Sequence, residues 1–194
     1  YFTDDTTGYA AGESGVIMKT LDAGATWGTL TTGITDILFN VFFVDDTTGF
    51  ACGNSGRIIK TTDAGTTWTT LTTGTSTRFY DVYFSDVNNG IAVGSWGNYM
   101  KTIDGGATWT SPTSPSGENM FNIRNTGGVL LILCGGGEIL RSTNNGSTWT
   151  TINTGFNDNY VAHINANGVG FCGGDAVLHK TTDYGASWFL IKGS

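Results

Sequence analysis

Four aspartates and one asparagine recur along the chain at almost constant spacing, each in the pattern Ser/Thr-x-Asp/Asn-x-Gly-x-Ser/Thr-Trp. Carboxylates can bind metal ions or act as general acids and bases. The tryptophans that close the patterns are 41, 41, 40 and 39 residues apart, so each carboxylate holds the same place in a different repeat. Because a turn of this composition has a mechanical explanation that needs no ligand, we interpret these residues as structural. They are Asp22 and Trp27, Asp63 and Trp68, Asp104 and Trp109, Asn144 and Trp149, and Asp183 and Trp188.

The pattern has the composition of a tight turn followed by a strand. A carboxylate in such a turn accepts hydrogen bonds from nearby backbone N–H groups, and the following glycine tolerates a positive φ. The tryptophan offers a large apolar ring system, which we expect to bury against the neighbouring sheet.

A repeat of about 40 residues is the length of a four-stranded propeller blade. Short β-branched and aromatic runs separated by Gly, Asn and Asp favour strands joined by hairpins, and helical periodicity is absent. The sequence therefore predicts an all-β fold, a five-bladed β-propeller of four-stranded antiparallel blades in a single domain. The predicted blades span approximately residues 1–33, 34–74, 75–115, 116–155 and 156–194.

These patterns resemble the Asp-box repeat of bacterial neuraminidases. The longer string from Gly8 to Thr20, which runs into the first box, resembles photosystem II stability and assembly factor-like propellers. The resemblance covers essentially the whole chain, and its motifs specify fold far better than function. The second group includes many secreted bacterial proteins. Together with few lysines and abundant Thr, Gly and Asn, the resemblance predicts a bacterial protein that is secreted or on the cell surface.

The start of the sequence leaves the blade count open. Tyr1 and Phe2 align with Phe42 and Phe43, so the chain begins inside an inner strand. A five-bladed ring is the first interpretation, and an arc of a larger propeller with residues before Tyr1 is the second. Open sheet edges pair readily with another chain, so a homo-oligomer also stays open.

A sialidase is the activity that the Asp-box resemblance first implies. Sialidases resemble one another in three converging arginines, a Tyr/Glu pair and a further acid. Alignment of the repeats places the arginines of this chain at unlike positions, and the only glutamates are Glu13, Glu118 and Glu138. We therefore predict that the protein is not an enzyme, and a sialidase-like glycoside hydrolase is the remaining catalytic alternative.

Charge and composition argue against several partners. The chain has 9 basic and 16 acidic residues, a net charge of −7, which disfavours nucleic acid and anionic membranes. Cys52, Cys134 and Cys172 share one repeat position and are predicted to be buried apolar residues. No metal, cofactor or transmembrane segment is predicted. One cation closes the third strand of each blade, at a position that we expect to be solvated: Lys19, Lys60, Lys101, Arg141 and Lys180.

The predicted binding surface is the face opposite the boxes, where the turns differ between blades. Trp96 is the only tryptophan outside the boxes, and an aromatic residue with polar neighbours recurs just before the inner strands. Those aromatic residues either line a ligand site or pack between blades. The candidate ligand-binding residues are Trp96, Phe39, Tyr80, Phe121, Tyr160, Arg78, Asp81, Asn54, Glu13 and Asp175.

The sequence therefore predicts a non-catalytic binding or scaffold module that recognises a glycan or a protein through its loop face. A protein-assembly or filament-forming subunit is the alternative. The acidic balance and the lack of a basic face speak against a direct role at a photosystem.

Overall fold

The computed structural model describes residues 1–155, 159–174 and 177–192, and for residues 159–161 and 192 it describes the backbone only. These residues form five antiparallel sheets of strands joined in chain order. The strands are β1 (Gly8–Ala11), β2 (Ile17–Thr20), β3 (Gly28–Leu30), β4 (Leu38–Phe43), β5 (Gly49–Gly53), β6 (Ile58–Thr61), β7 (Thr69–Leu71), β8 (Phe79–Phe84), β9 (Gly90–Gly94), β10 (Tyr99–Thr102), β11 (Met120–Thr126), β12 (Val129–Cys134), β13 (Glu138–Ser142), β14 (Thr150–Asn153), β15 (Asn159–Ile164), β16 (Gly170–Gly174), β17 (Val177–Thr181) and β18 (Phe189–Lys192).

Each sheet is one blade, so the predicted fold class, a five-bladed β-propeller, is confirmed. Three blades have four strands, whereas the first and third have three strands and one isolated bridge each, Phe2 to Gly8 and Lys101 to Thr110. Short 3₁₀ turns join the second and third strands of four blades: Glu13–Gly15, Asn54–Gly56, Ser95–Gly97 and Gly135–Gly137.

The chain divides into two compact units. The first, unit 1, comprises Tyr1–Gly94 and Asn98–Pro112, and the second, unit 2, comprises Ser95–Gly97 and Thr113–Ser194.

The box turns are closed by a network around the aspartate. In the second box, Asp63 Oδ1 accepts hydrogen bonds from the Thr61 hydroxyl at 2.8 Å and from the Thr67 N–H at 2.8 Å. Asp63 Oδ2 accepts from the Thr67 hydroxyl at 2.7 Å, and the Thr61 hydroxyl accepts from the Gly65 N–H. The carboxylate therefore ties the end of the third strand to the start of the fourth.

The same network lowers the pKa of the box aspartates. The side-chain hydrogen bond from Thr26, with its N–H and the Thr20 hydroxyl, lowers the pKa of Asp22 to about 2. Asn144 keeps the geometry without the charge, because its Oδ1 accepts from Ser142 and from the Thr148 N–H while its Nδ2 donates to the Thr148 hydroxyl.

Three box tryptophans are partly buried against core clusters that include residues of the neighbouring blade, as predicted: Trp68, Trp109 and Trp188. The rings of Trp68 and Trp109 lie edge-on to Phe43 and Phe84 of their own blades, and Trp27 remains 36% exposed. The Trp68 indole N–H donates to the Gly65 carbonyl oxygen, so this ring serves the turn that precedes it.

The cations that close the third strands are half-buried links between blades, not solvated positions as predicted. Three of the five donate to the carbonyl oxygen of the residue just after the Asp of the next box, where the backbone has a positive φ. The donors and acceptors are Lys19 and Ala64 at 3.1 Å, Lys60 and Gly105 at 2.9 Å, and Arg141 and Tyr184 at 3.1 Å.

Aromatic stacking forms the core of unit 1. The ring of Tyr9 stacks on Phe43 of the next blade with centroids 3.9 Å apart, and Phe50 stacks on Phe84 at 3.6 Å. Only glycine fits beneath these rings, because a Cβ on Gly49 would lie 2.7 Å from the Phe43 ring.

Aliphatic side chains fill the corresponding core of unit 2, where Leu131, Leu133 and Ile139 pack with Ala162 and Cys172. All three cysteines are buried thiols. Burial raises the pKa of the Cys172 thiol to about 12. His179, on β17, is only 1% exposed, and its burial lowers its pKa.

We expect Asp63→Ala to lower the melting temperature, because two hydroxyls and a backbone N–H lose their acceptor. Asp63→Asn is the matched control and retains most of the stability, since Asn144 serves the same turn in the fourth box. Thermal unfolding near neutral pH measures both. Equal melting temperatures for the wild type and Asp63→Ala would show that the network does not stabilise the turn.

We expect His179 to weaken the fold in mild acid. Its pKa in the folded state lies below the ordinary 6.5, so the unfolded chain binds the proton more readily. The contribution of His179 therefore leaves the free energy of unfolding at its highest above about pH 6.5. The free energy of unfolding falls as the pH drops from there to the folded-state pKa. His179→Met removes this loss, because Met18 and Met100 hold the same position in other blades.

Urea unfolding at about pH 7.5 and about pH 5 measures the effect. Exposed His163 is the matched control, and His163→Asn should retain the pH dependence of the wild type. If His179→Met lost as much stability in acid as the wild type, the buried histidine would not be its cause.

Candidate functional site

A β-bulge recurs at the start of the inner strand in four blades. In the second blade, Leu38 pairs with Gly53 and Asn40 with Cys52, so Phe39 is the extra residue between them. Such a bulge redirects a side chain without ending the ladder. Here Leu38 enters the core while Phe39 is 41% exposed. The aromatic residues singled out from the sequence are the extra residues of the four bulges: Phe39, Tyr80, Phe121 and Tyr160.

Two of these aromatic residues meet in unit 1 around an arginine. The rings of Phe39 and Tyr80 are 5.6 Å apart, centroid to centroid, at an angle of 58°. The guanidinium carbon of Arg78 lies 5.8 Å from each ring centroid. Arg78 is exposed and pairs with no carboxylate among the described residues. We name Phe39, Arg78 and Tyr80 the aromatic–arginine site.

Rigid backbone supports this site from below. The crossing before β4 is fixed by a salt bridge from Arg57 to Asp36 at 2.8 Å and by the Asn54 N–H, which donates to the Ile37 carbonyl. A Cβ on Gly53 would lie 1.9 Å from that carbonyl oxygen, so the crossing packs directly on β5. Burial acts to raise the pKa of Asp36, but hydrogen bonds from Ser55 and Arg57 outweigh it and lower the pKa.

Trp96 lies in unit 2 and stands in solvent, with 83% of its surface exposed. Its φ of 57° is in the left-handed region, which a bulky residue rarely adopts. Ser14, Ser55 and Gly136 hold the same position and the same conformation in other blades. The backbone of the turn therefore does not require a tryptophan.

The remaining predicted residues are placed less favourably for a ligand, or lie outside the description. Asp81 is 2% exposed and accepts a hydrogen bond from the Val82 N–H, so it is enclosed within its blade. Glu13 is exposed and Asn54 is half-buried in their 3₁₀ turns, and Phe121 is half-buried on β11. Asp175 lies outside the described residues, as does the side chain of Tyr160.

Among the described residues, His, Cys, Asp and Glu nowhere gather in threes in a way that could hold a metal ion. In the described part of the chain, helices are all too short to cross a membrane. The chemistry that the aromatic–arginine site offers is non-covalent: two ring faces for stacking and a guanidinium for a bidentate pair with a carboxylate.

The family described as Photosynthesis system II assembly factor YCF48 matches residues 60–158, just over half of the chain. The chain belongs to the YCF48 family. The resemblance to photosystem assembly-factor propellers is thereby confirmed. No curated protein sequence matches the chain.

Solved structures of this family share the fold. A structure of YCF48 bound to D1 peptide is 18% identical with a TM-score of 0.62, over 97% of this chain and 78% of that one. YCF48 from Cyanidioschyzon merolae is 15% identical with a TM-score of 0.68, over 95% and 68%. A GH74 enzyme from Niastella koreensis is 22% identical with a TM-score of 0.71, but this chain spans only 30% of its length. At these identities the similarity shows the fold alone.

The predicted location is wrong. The sequence composition indicated a secreted or cell-surface protein, whereas YCF48 is a photosystem II assembly factor, which is not a secreted protein. A low lysine content with abundant Thr and Gly reflects the short strands and turns of the blade, which are the same in any compartment.

We expect Trp96→Gly to be more stable than Trp96→Ala by about 1 kcal/mol, although both remove the indole. Only glycine adopts the left-handed conformation of this position freely. Urea unfolding of the two variants measures the difference. Equal stabilities would mean that the turn relaxes and that the wild-type backbone is not strained at Trp96.

Proposed function

We propose that the protein is a non-catalytic assembly factor that binds an extended segment of a partner protein at the aromatic–arginine site. The observation that carries the proposal is the exposed Arg78 guanidinium, which lies near two aromatic rings and has no carboxylate partner among the described residues. Membership of the YCF48 family and the D1 peptide in the structure of a relative support protein binding.

The geometry favours a segment that carries a carboxylate. The guanidinium carbon of Arg78 is equidistant from Phe39 and Tyr80, at 5.8 Å from each ring centroid, and the group is exposed, so its N–H groups are accessible for a bidentate pair. The rings also offer apolar surface to the residues beside that carboxylate. Each hydrogen bond to a charged group contributes roughly 1.5–3 kcal/mol, or about 10–100-fold in affinity.

The proposal is non-enzymatic because several arginines and histidines that catalysis would use serve the fold instead. Arg57 pairs with Asp36, Arg141 donates to the Tyr184 carbonyl, and His179 is buried. Glycan binding and self-assembly, the other expectations from the sequence, stay predictions that the similar proteins do not support.

The test is fluorescence anisotropy with the labelled D1 peptide at low ionic strength. Arg78→Gln should weaken binding about tenfold or more, because the charge-assisted pair is lost. Converting the carboxylates of the peptide, its C-terminal carboxylate included, to amides should weaken binding to the wild type but not to Arg78→Gln.

Arg124 is the matched control, since it is another exposed arginine; it lies on the inner strand β11 and donates to the Ile123 carbonyl. Arg124→Gln should bind like the wild type. Equal losses of peptide affinity in both variants would show that the effect comes from net charge alone, which would contradict a site at Arg78. Peptide binding that is unaffected by Arg78→Gln would have the same consequence.

A further inference from the structure

The exposed indole of Trp96 has no role within the fold that would account for it. Serine or glycine suffices at the same position of other blades, where φ is 56°, 58° and 63°. A tryptophan in this conformation is costly for the backbone, and 83% of its surface gains nothing from burial. Strained, exposed aromatic residues of this kind indicate contact with a partner.

The turn that carries Trp96 is held firmly against the segment before β11. The Trp96 N–H donates to Asn119 Oδ1 at 3.0 Å, and the Gly97 N–H donates to the Glu118 carbonyl at 2.9 Å. A Cβ on Gly97 would lie 2.5 Å from the Ser116 carbonyl oxygen, so the two segments are in close contact. The indole is therefore presented on a fixed backbone, which lowers the entropy cost of binding.

Two glutamates are connected to this turn through the segment before β11. Glu118 is exposed and lies against the Gly136 turn, where its carboxyl carbon would be 3.5 Å from a Cβ on Gly136. Glu138 is half-buried and accepts a hydrogen bond from the Ser116 hydroxyl at 2.6 Å. Neither pairs with a cation among the described residues. Two of the three glutamates of the chain are thus gathered at one turn cluster.

We propose that Trp96, Glu118 and Glu138 form a docking surface for a segment of a partner protein that carries Lys or Arg. The cation lies over the indole face and pairs with the carboxylates, which otherwise have no counter-charge. The net charge of −7 attracts such a segment from a distance. This surface shares no residue with the aromatic–arginine site, which carries the opposite charge. The proposal for it can therefore be tested independently of the proposed function.

The test uses a labelled synthetic peptide of Gly and Ser with two Arg and one Lys, in anisotropy titrations at about 20 mM and about 200 mM salt. Binding to the wild type should weaken with salt, and Trp96→Ser should weaken it at least about fivefold. Serine already occupies this position as Ser14 and Ser55, so the turn should remain folded. The double variant Glu118→Gln/Glu138→Gln should weaken peptide binding by a similar factor.

Ser55 provides the matched control, because Ser55→Trp moves the indole to the equivalent turn of the second blade, where the nearby carboxylate, Asp36, is already paired with Arg57. Ser55→Trp combined with Trp96→Ser should not restore binding. Restored binding would assign the effect to any exposed indole and overturn the proposal. Unchanged affinity in Trp96→Ser, or a glycan array whose hits vanish in Trp96→Ser while the cationic peptide does not bind, would overturn it too.

Discussion

The hydrogen-bond network of the box aspartate is the interaction on which the rest of the structure depends. It closes the turn between the third and fourth strands, and it holds the next residue at a positive φ. The carbonyl of that residue then accepts the Lys or Arg of the preceding blade. One local turn thus fixes both the edge of its own sheet and the spacing to its neighbour, which explains why the motif recurs so regularly.

Because the boxes hold the blades in place, the turns between the second and third strands are free to vary in sequence. The 3₁₀ turns keep one backbone conformation, while the residue at the left-handed position changes from serine to tryptophan to glycine. The inner-strand bulge provides a second variable position, because it turns one aromatic side chain outward without disturbing the ladder. The aromatic–arginine site and the Trp96 surface are both built on such positions, and they carry opposite charge.

The sequence predicts the repeat well because period and turn chemistry are local. The box at Asp63 and the four-stranded blade around it follow from 24 or so residues that recur along the chain. The sequence cannot show that Phe39 is an extra residue in a bulge, since the register of pairing depends on β5. The prediction that Lys60 is solvated was wrong for a similar reason, because the carbonyl that accepts its hydrogen bond, that of Gly105, lies in the next blade. In the third blade the fourth strand is reduced to a single bridge at Thr110. Pro112 follows two residues later and cannot donate a hydrogen bond to the ladder.

The central claim is that a rigid repeat frame presents a partner-binding site on its bulged inner strands. Amide hydrogen exchange followed by mass spectrometry, with and without the D1 peptide, tests it most directly. The account predicts that the peptide slows exchange in residues 36–40 and 78–81 and leaves the boxes unchanged. Slower exchange at the boxes around Asp22, Asp63 and Asp104, with none at the bulges, would contradict it.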